Sequence, residues 1–415
     1  MRVSTMRLVD RWVGVPVCAA LSVWRRVADL IGGGSGEAGP VRRILFVKLA
    51  EQGSTVLAYA ALRRAAAMVG RENVFFVCFQ ENRFILDILE VLPEENVIAI
   101  RTGGLVQIVR GALAAVRRMR AEGIDAAIDM EFFARSSAAM TYLSGARRRV
   151  GFHAFAGEAS YRGDLMTHRL SYNPHLHTTE TFWTMVEALT LEPAVLPAYD
   201  REAAKAEDPP AMFRPTEDEL RGVREILHRE AGGRAIGRLV LLNANCSDML
   251  PIRRWPTDRY LELARRVLDR YPDVFVALTG APDEQIPAER LVREIGSDRC
   301  LCMAGRTMLR QLLVLYTLSE VLVTNDSGPA HFATLTPIDV ITLFGPETPK
   351  LFAARTPRNH VHWSGVPCSP CVSAYNDRLS PCRNNICLQR IGVDEVFETL
   401  CSVLEQRQGV GVHKE

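Results

Sequence analysis

Residues 321–331 read Val-Leu-Val-Thr-Asn-Asp-Ser-Gly-Pro-Ala-His. The apolar, β-branched start predicts a buried strand, which empties into polar residues where a helix is due to begin. Asp326 and Ser327 are N-cap types, and Pro329 suits a first helical turn, where its missing N–H costs nothing. Backbone donors at such a junction face an anion, for example a diphosphate. Gly328 lets the main chain approach a ligand closely, and His331 falls one turn later, toward the same opening. A capped helix without a ligand would use the same residue types, so this stretch alone predicts the junction and only admits the site.

Outward from this junction the chain alternates strand and helix twice. In the first half, strands are expected over 42–49, 74–79, 97–100 and 126–129, with helical spacing of apolar residues over 56–69, 84–92 and 105–122. In the second half, strands are expected over 238–243, 274–279, 321–324 and 340–344, with helices over 257–271 and 308–319. This rhythm predicts α/β architecture: two Rossmann-like, doubly wound domains facing a central cleft, with ligands beyond the carboxyl ends of the strands. The expected divisions are an N-terminal segment with a glycine-rich linker (1–40), a first domain (41–205), a proline- and charge-rich connector (206–236), a second domain (237–392) and a C-terminal helix and tail (393–415).

A chain of 415 residues exceeds the usual size of one core, which agrees with two domains. Its 48% hydrophobic and 24% charged residues fit an ordinary globular composition, and a net charge of only +2 argues against a nucleic-acid partner. Arginines cluster at 117–120 and 147–149, read as a solvated face or a contact for an anionic ligand or lipid. No stretch reaches the ~18 apolar residues of a membrane span. Residues 12–24 are nevertheless almost wholly apolar, with Trp12 and Trp24 at their ends and Arg25-Arg26 following. They suit either a short helix in the membrane interface or a helix packed on the domain surface. Arginines where small residues would be cleaved argue against a secretory signal.

Polar groups cluster at the ends of the expected strands of the second half: Asn243 and Asn245, then Asp326 to His331, then Gly345-Pro346-Glu347-Thr348. Arg253-Arg254-Trp255-Pro256 lies between the first of these and a helix, where an arginine fork could clamp a diphosphate. With 324–331 and Leu343-Phe344-Gly345-Pro346, this chain resembles the sugar-nucleotide domain of glycosyltransferase family 9, the lipopolysaccharide heptosyltransferases. Residues 43–61 resemble the opening strand, turn and helix of that family, and 253–256 resemble its basic-x-Trp-Pro loop; the likeness runs from about 42 to 405. The resemblance implies a GT-B fold, a nucleotide-activated donor such as ADP-heptose, inversion at the anomeric carbon, no required metal, and a lipopolysaccharide-type or other surface-glycan acceptor. It further implies peripheral placement at the cytoplasmic face of the inner membrane.

Carried over by position, Asn243, Arg253, Asp326, Ser327, Gly328, His331 and Gly345 would hold the donor. Arg253 stands where the family usually has a phosphate-binding lysine. The departure is in the first loop: the family has Gly-Asp, with the aspartate as base, and this chain has Gly53-Ser54. A serine is no base near neutral pH without a partner, whereas a carboxylate is. Glu51, three residues earlier, is therefore the expected replacement, and a purely structural loop carboxylate is the alternative. His177, on a polar loop before a helix, is a candidate acceptor contact or a surface histidine. Loss of the base at Ser54 would leave a non-catalytic sugar-nucleotide-binding module, and a sugar-nucleotide epimerase is the rival activity on the same fold.

Ten cysteines are present, four of them as Cys368-x2-Cys371-x10-Cys382-x4-Cys387 within the loop 368–387. That spacing admits a structural zinc, one or two disulfides, or free thiols. Cys18, Cys78 and Cys246 read as small apolar fillers, in keeping with a reducing compartment.

Overall fold

The computed structural model describes the backbone of residues 3–31, 39–193, 212–246 and 250–411 and the side chains of 8–31, 39–193, 212–246 and 250–408. The expected glycine-rich linker at 32–36 lies outside them, as does 206–211 of the expected connector. Two compact units are present: 1–209 with 373–379, and 210–372 with 380–415.

The first unit is built on β1 (Ile44–Val47), β2 (Val74–Phe79), β3 (Val97–Ile100), β4 (Ala126–Asp129), β5 (Arg148–Phe152) and β6 (His168–Leu170). Their order is β3-β2-β1-β4-β5-β6, and every described pairing is parallel. β1, the central strand, is wholly buried, as a strand covered by helices on both faces must be. One core gathers Leu45, Val47, Val77, Ile98, Ala127 and Met119. The helix expected over 56–69 is two helices, Gln52–Leu57 and Tyr59–Val69, meeting at Ala58. The first of them begins only one residue after Glu51, so the loop is shorter than the apolar spacing suggested.

The second unit repeats the plan with β7 (Arg238–Asn243), β8 (Val274–Leu278), β9 (Cys300–Cys302), β10 (Val321–Asn325), β11 (Asp339–Phe344) and β12 (Asn359–Trp363), ordered β12-β11-β10-β7-β8-β9 and all parallel. Counted from its own first strand, this is again 3-2-1-4-5-6, whose switch point falls between the first and fourth strands. Residues 212–236, expected as connector, include the helix Glu217–Glu230, capped by a reciprocal Thr216–Glu219 pair. Its charge made it look like linker, but Val223 and Leu227 bury one face. The helix Val393–Gly411, expected to stand apart, supplies Val396, Leu400, Val403 and Leu404 to the core of this unit, against the helix Thr257–Arg270.

At the N-terminus, helices Val3–Trp12 and Gly14–Ile31 pack on the helix Arg135–Leu143 of the first unit. Asp10 accepts from the N–H groups of Arg135 (3.1 Å) and Ser136 (2.8 Å), a carboxylate cap on that helix's first turn. The arginine run 147–149 is no uniform solvated face: Arg149 is buried, donating to Leu165 O (2.7 Å) and Ala146 O (2.6 Å).

Candidate functional site

Polar groups gather at the switch point of each unit. In the second unit, Asn243 ends β7, and its amide donates to the Thr279 hydroxyl (3.3 Å) while its oxygen accepts from Asn245 N (3.3 Å). Asn325 ends β10; it accepts from Trp255 N (2.8 Å) and donates to Asn245 O (2.9 Å), so one buried amide joins the loops after β7 and β10. Trp255 is fully buried, with its ring edge-on to Tyr260 and its indole N–H on Ile391 O (3.0 Å). This anchor fixes the loop that carries Arg253, whose guanidinium lies 3.8 Å from the buried carboxylate of Asp326. Asn385 adds a second tie, donating to Ile252 O (3.0 Å) and Arg254 O (2.8 Å).

Ser327 is the N-cap of the helix Gly328–Ala333, but its hydroxyl turns back to Asn325 O (3.2 Å) and caps nothing. The Ser327 side chain therefore does not occupy the backbone donors at the helix start, the kind of group that receives an anion. At six residues the helix contributes these donors rather than a long macrodipole. His331 lies buried on it. Gly345, expected at the donor, also has a packing reason to be glycine: a Cβ there would sit 2.6 Å from Leu388 Cγ.

In the first unit, Lys48 follows β1 and is completely buried. Its ammonium lies 3.7 Å from Glu51 Oε2 and 3.5 Å from Glu131 Oε2, without a hydrogen-bond partner among the described residues. Glu131, two residues beyond β4, also accepts from Ala50 N (2.9 Å) and so holds the loop that carries Glu51. Glu51 itself sits at φ 68°, a left-handed conformation uncommon for a residue with a side chain, at the start of the helix Gln52–Leu57. From there its carboxylate comes 3.4 Å from the Ser54 hydroxyl, which also donates to Glu51 O (2.9 Å). Arg378, from the seven residues 373–379 that belong to this unit, forms an ion pair with Glu51. Ser160 holds the neighbouring Asp377 (2.6 Å), and the Tyr375 ring packs against Phe133 and Tyr172.

Beneath this cluster, Asp129 is fully buried, paired with Arg162 and hydrogen bonded by Ser137 (3.0 Å). Burial pushes its carboxyl up to about 6 against the pull of Arg162. Lys48, Glu131 and Arg378 were not singled out in the sequence. The signal was a charged residue just beyond an otherwise apolar strand, in Val47-Lys48 and in Asp129-Met130-Glu131.

His177 ends the loop before the helix Thr178–Glu187, as expected, but it is no surface histidine: it is buried, and its ring accepts from Thr179 N (3.3 Å) as N-cap of that helix. Cys368, Cys371, Cys382 and Cys387 are free thiols, and among the described residues no three His, Cys, Asp or Glu side chains converge to hold a metal. Cys371 instead contacts the Ser380 hydroxyl (3.3 Å) and Cys382 the Asn384 carbonyl (3.2 Å). Cys387 is buried, which pushes its thiol up to about 11.

Two sheets of one parallel topology, with amides, a cation and helix-start donors in one unit and carboxylates in the other, make the architecture that of the GT-B glycosyltransferases. The chain belongs to glycosyltransferase family 9 (heptosyltransferase), whose pattern matches residues 112–380. It is similar to lipopolysaccharide heptosyltransferase 2 of Salmonella typhimurium, 30% identical over 102 residues; that stretch is 24% of this chain and only 29% of the relative. The structure of E. coli ADP-heptose lipopolysaccharide heptosyltransferase II has the same fold, with TM-score 0.63 and 18% identity over 88% of this chain and 99% of that one. So does a family 9 glycosyl transferase from Veillonella parvula DSM 2008, with TM-score 0.67 and 16% identity over 89% and 99%.

Proposed function

We propose that this protein transfers a heptose or closely related sugar from a nucleotide-activated donor of the ADP-heptose kind to a hydroxyl of a lipid-linked, lipopolysaccharide-type acceptor, with inversion. The family and the ADP-heptose donor in the name of the E. coli structure support the donor class. The observation that carries catalysis is the carboxylate of Glu51 beside the Ser54 hydroxyl, at the position where the family's aspartate is missing. Glu51 takes the proton of the acceptor hydroxyl; the oxygen attacks the anomeric carbon from the face opposite the diphosphate; the nucleoside diphosphate leaves with the bonding electron pair. Arg253, oriented by Asp326, and the N–H groups at Gly328 receive that negative charge. These fixed positive groups do the work that a divalent cation does in other transferases, so the reaction proceeds in a chelator. The lipid-linked acceptor brings the enzyme to the cytoplasmic face of the inner membrane as a peripheral protein.

Glu131 is the second carboxylate of the cluster, but it is tied to Ala50 N and less exposed than Glu51. The test compares Glu51→Gln and Glu131→Gln for transfer and for nucleotide binding by calorimetry. Expected is a loss of about 10²-fold or more in transfer for Glu51→Gln, with ADP affinity unchanged. Full activity in Glu51→Gln removes it as the base, and ADP binding without turnover in the wild type identifies a binding module.

A further inference from the structure

Two helices of the first unit turn apolar faces to solvent. The helix Gly14–Ile31 is docked by its other side: Cys18 is buried with Ala138, Leu165 and Met166, Ser22 accepts from Asp164 N (2.8 Å), and Arg25 pairs with Asp164 (2.5 Å). Gly163 beneath it has φ 74°, and a Cβ there would lie 2.7 Å from Cys18 O, so the helix rests directly on backbone. With its inner side so fixed, Val17, Val23, Trp24, Val27, Leu30 and Ile31 point outward at helical spacing; Trp24 is 66% and Leu30 84% exposed, and Trp12 of the preceding helix 71%. The helix Leu105–Ala121 repeats the arrangement. Ala115 and Met119 face the core, whereas Leu105, Val106, Val109 and Leu113 are exposed beside the exposed Arg110 and Arg117. That helix contains no Asp or Glu. Both helices pack on the helix Arg135–Leu143.

Monomeric proteins seldom leave apolar surface of this extent in water. No helix among the described residues is long and apolar enough to cross a membrane, so a lipid contact would lie along the helices rather than around them. Charge separates the candidate occupants. Arg11, Arg26, Arg101, Arg110 and Arg117 are exposed on or next to these helices, and the acidic Asp29 is already paired with Arg25 (3.3 Å). A second copy of the chain would bring like charges together, whereas a bilayer rich in anionic headgroups answers them, and tryptophans are the residues that settle at the headgroup level. We propose that the outward faces of Gly14–Ile31 and Leu105–Ala121 dock on an anionic lipid bilayer, the arginines on lipid phosphates and the apolar residues in the interface. This deepens the peripheral placement proposed above without depending on which sugar is moved.

The test is co-sedimentation of the full-length protein with vesicles of phosphatidylglycerol and phosphatidylethanolamine, and with phosphatidylcholine alone. Tryptophan fluorescence and light scattering accompany it. Expected are binding to the anionic vesicles only, a blue shift on binding, and release by salt. Trp12→Ser/Trp24→Ser and Arg110→Glu/Arg117→Glu should each weaken binding about tenfold or more while preserving circular dichroism and ADP affinity. Unchanged vesicle binding in both variants overturns the proposal. So does a dimer in solution that the same substitutions dissolve while vesicles are not bound. Loss of transfer with retained vesicle binding would instead count against the catalytic reading alone.

Discussion

At the ends of β1 and β4 a buried ammonium stands between two carboxylates, whereas at the matching ends of β7 and β10 stand Asn243, Asn325 and the Arg253–Asp326 pair. The strand order is the same in both sheets. Topology therefore selects where a site forms, and the few residues past each strand select its chemistry. Amides present donors that do not titrate, which suits constant recognition of a ligand. Carboxylates beside cations suit the handling of a proton.

The strongest way to break this contrast is Lys48→Met. It leaves Glu51 and Glu131 facing each other without their shared cation, and the expected cost is about 3–5 kcal/mol in the first unit. Denaturant unfolding should show one transition moved and the other unmoved, with ADP binding preserved; two unmoved transitions would mean that the ammonium is not integral to the site. Asn325→Ala is the counterpart. It removes the hydrogen bonds to Trp255 N and Asn245 O, for an expected cost of about 1–3 kcal/mol. Calorimetry should then find ADP affinity lowered about tenfold, while an unaltered affinity would uncouple the Arg253 loop from the donor.

The smallest effect sharpens the contrast in protonation. Asp129 titrates near 6, whereas in the second unit Asp339 lies below its ordinary 3.8, because hydrogen bonds from His360 and Arg407 outweigh its burial. The contribution of Asp129 to stability is complete below about pH 4 and lost as pH rises through about 6; that of Asp339 is present above about 4 and lost in stronger acid. Carbon-13 NMR of the aspartate carboxyls, assigned with Asp129→Asn and Asp339→Asn, should resolve two midpoints on either side of the usual value. Coincident midpoints would erase the difference.

Much of this was legible in the chain. β2, β3, β4 and β7 fall where their apolar runs place them. β6, β9 and β12, which went unmarked, are edges of their sheets, and His168-Arg169 or Asn359-His360 give no apolar run because an edge strand is only partly covered. β5 was hidden by its arginines. At the sites, Glu51, Arg253 and Asp326 stand out because local motif and chemistry coincide. Glu131 and Arg378 reach Glu51 and its loop from 81 and 327 residues away, a proximity that only the folded sheet creates. Gly345 is ambiguous in sequence for a physical reason: a Cβ there would meet Leu388, and a packing glycine reads like a ligand glycine.

The first unit is completed by residues 373–379, which follow the last strand of the second sheet along the chain. On the ribosome, its own six strands are made long before Arg378 exists, and at about 5–20 residues per second the gap from residue 209 is on the order of ten to thirty seconds. Glu51 therefore waits for its partner until most of the polypeptide has been synthesised, and a nascent chain halted before 373 would carry the first sheet without the arginine that meets it.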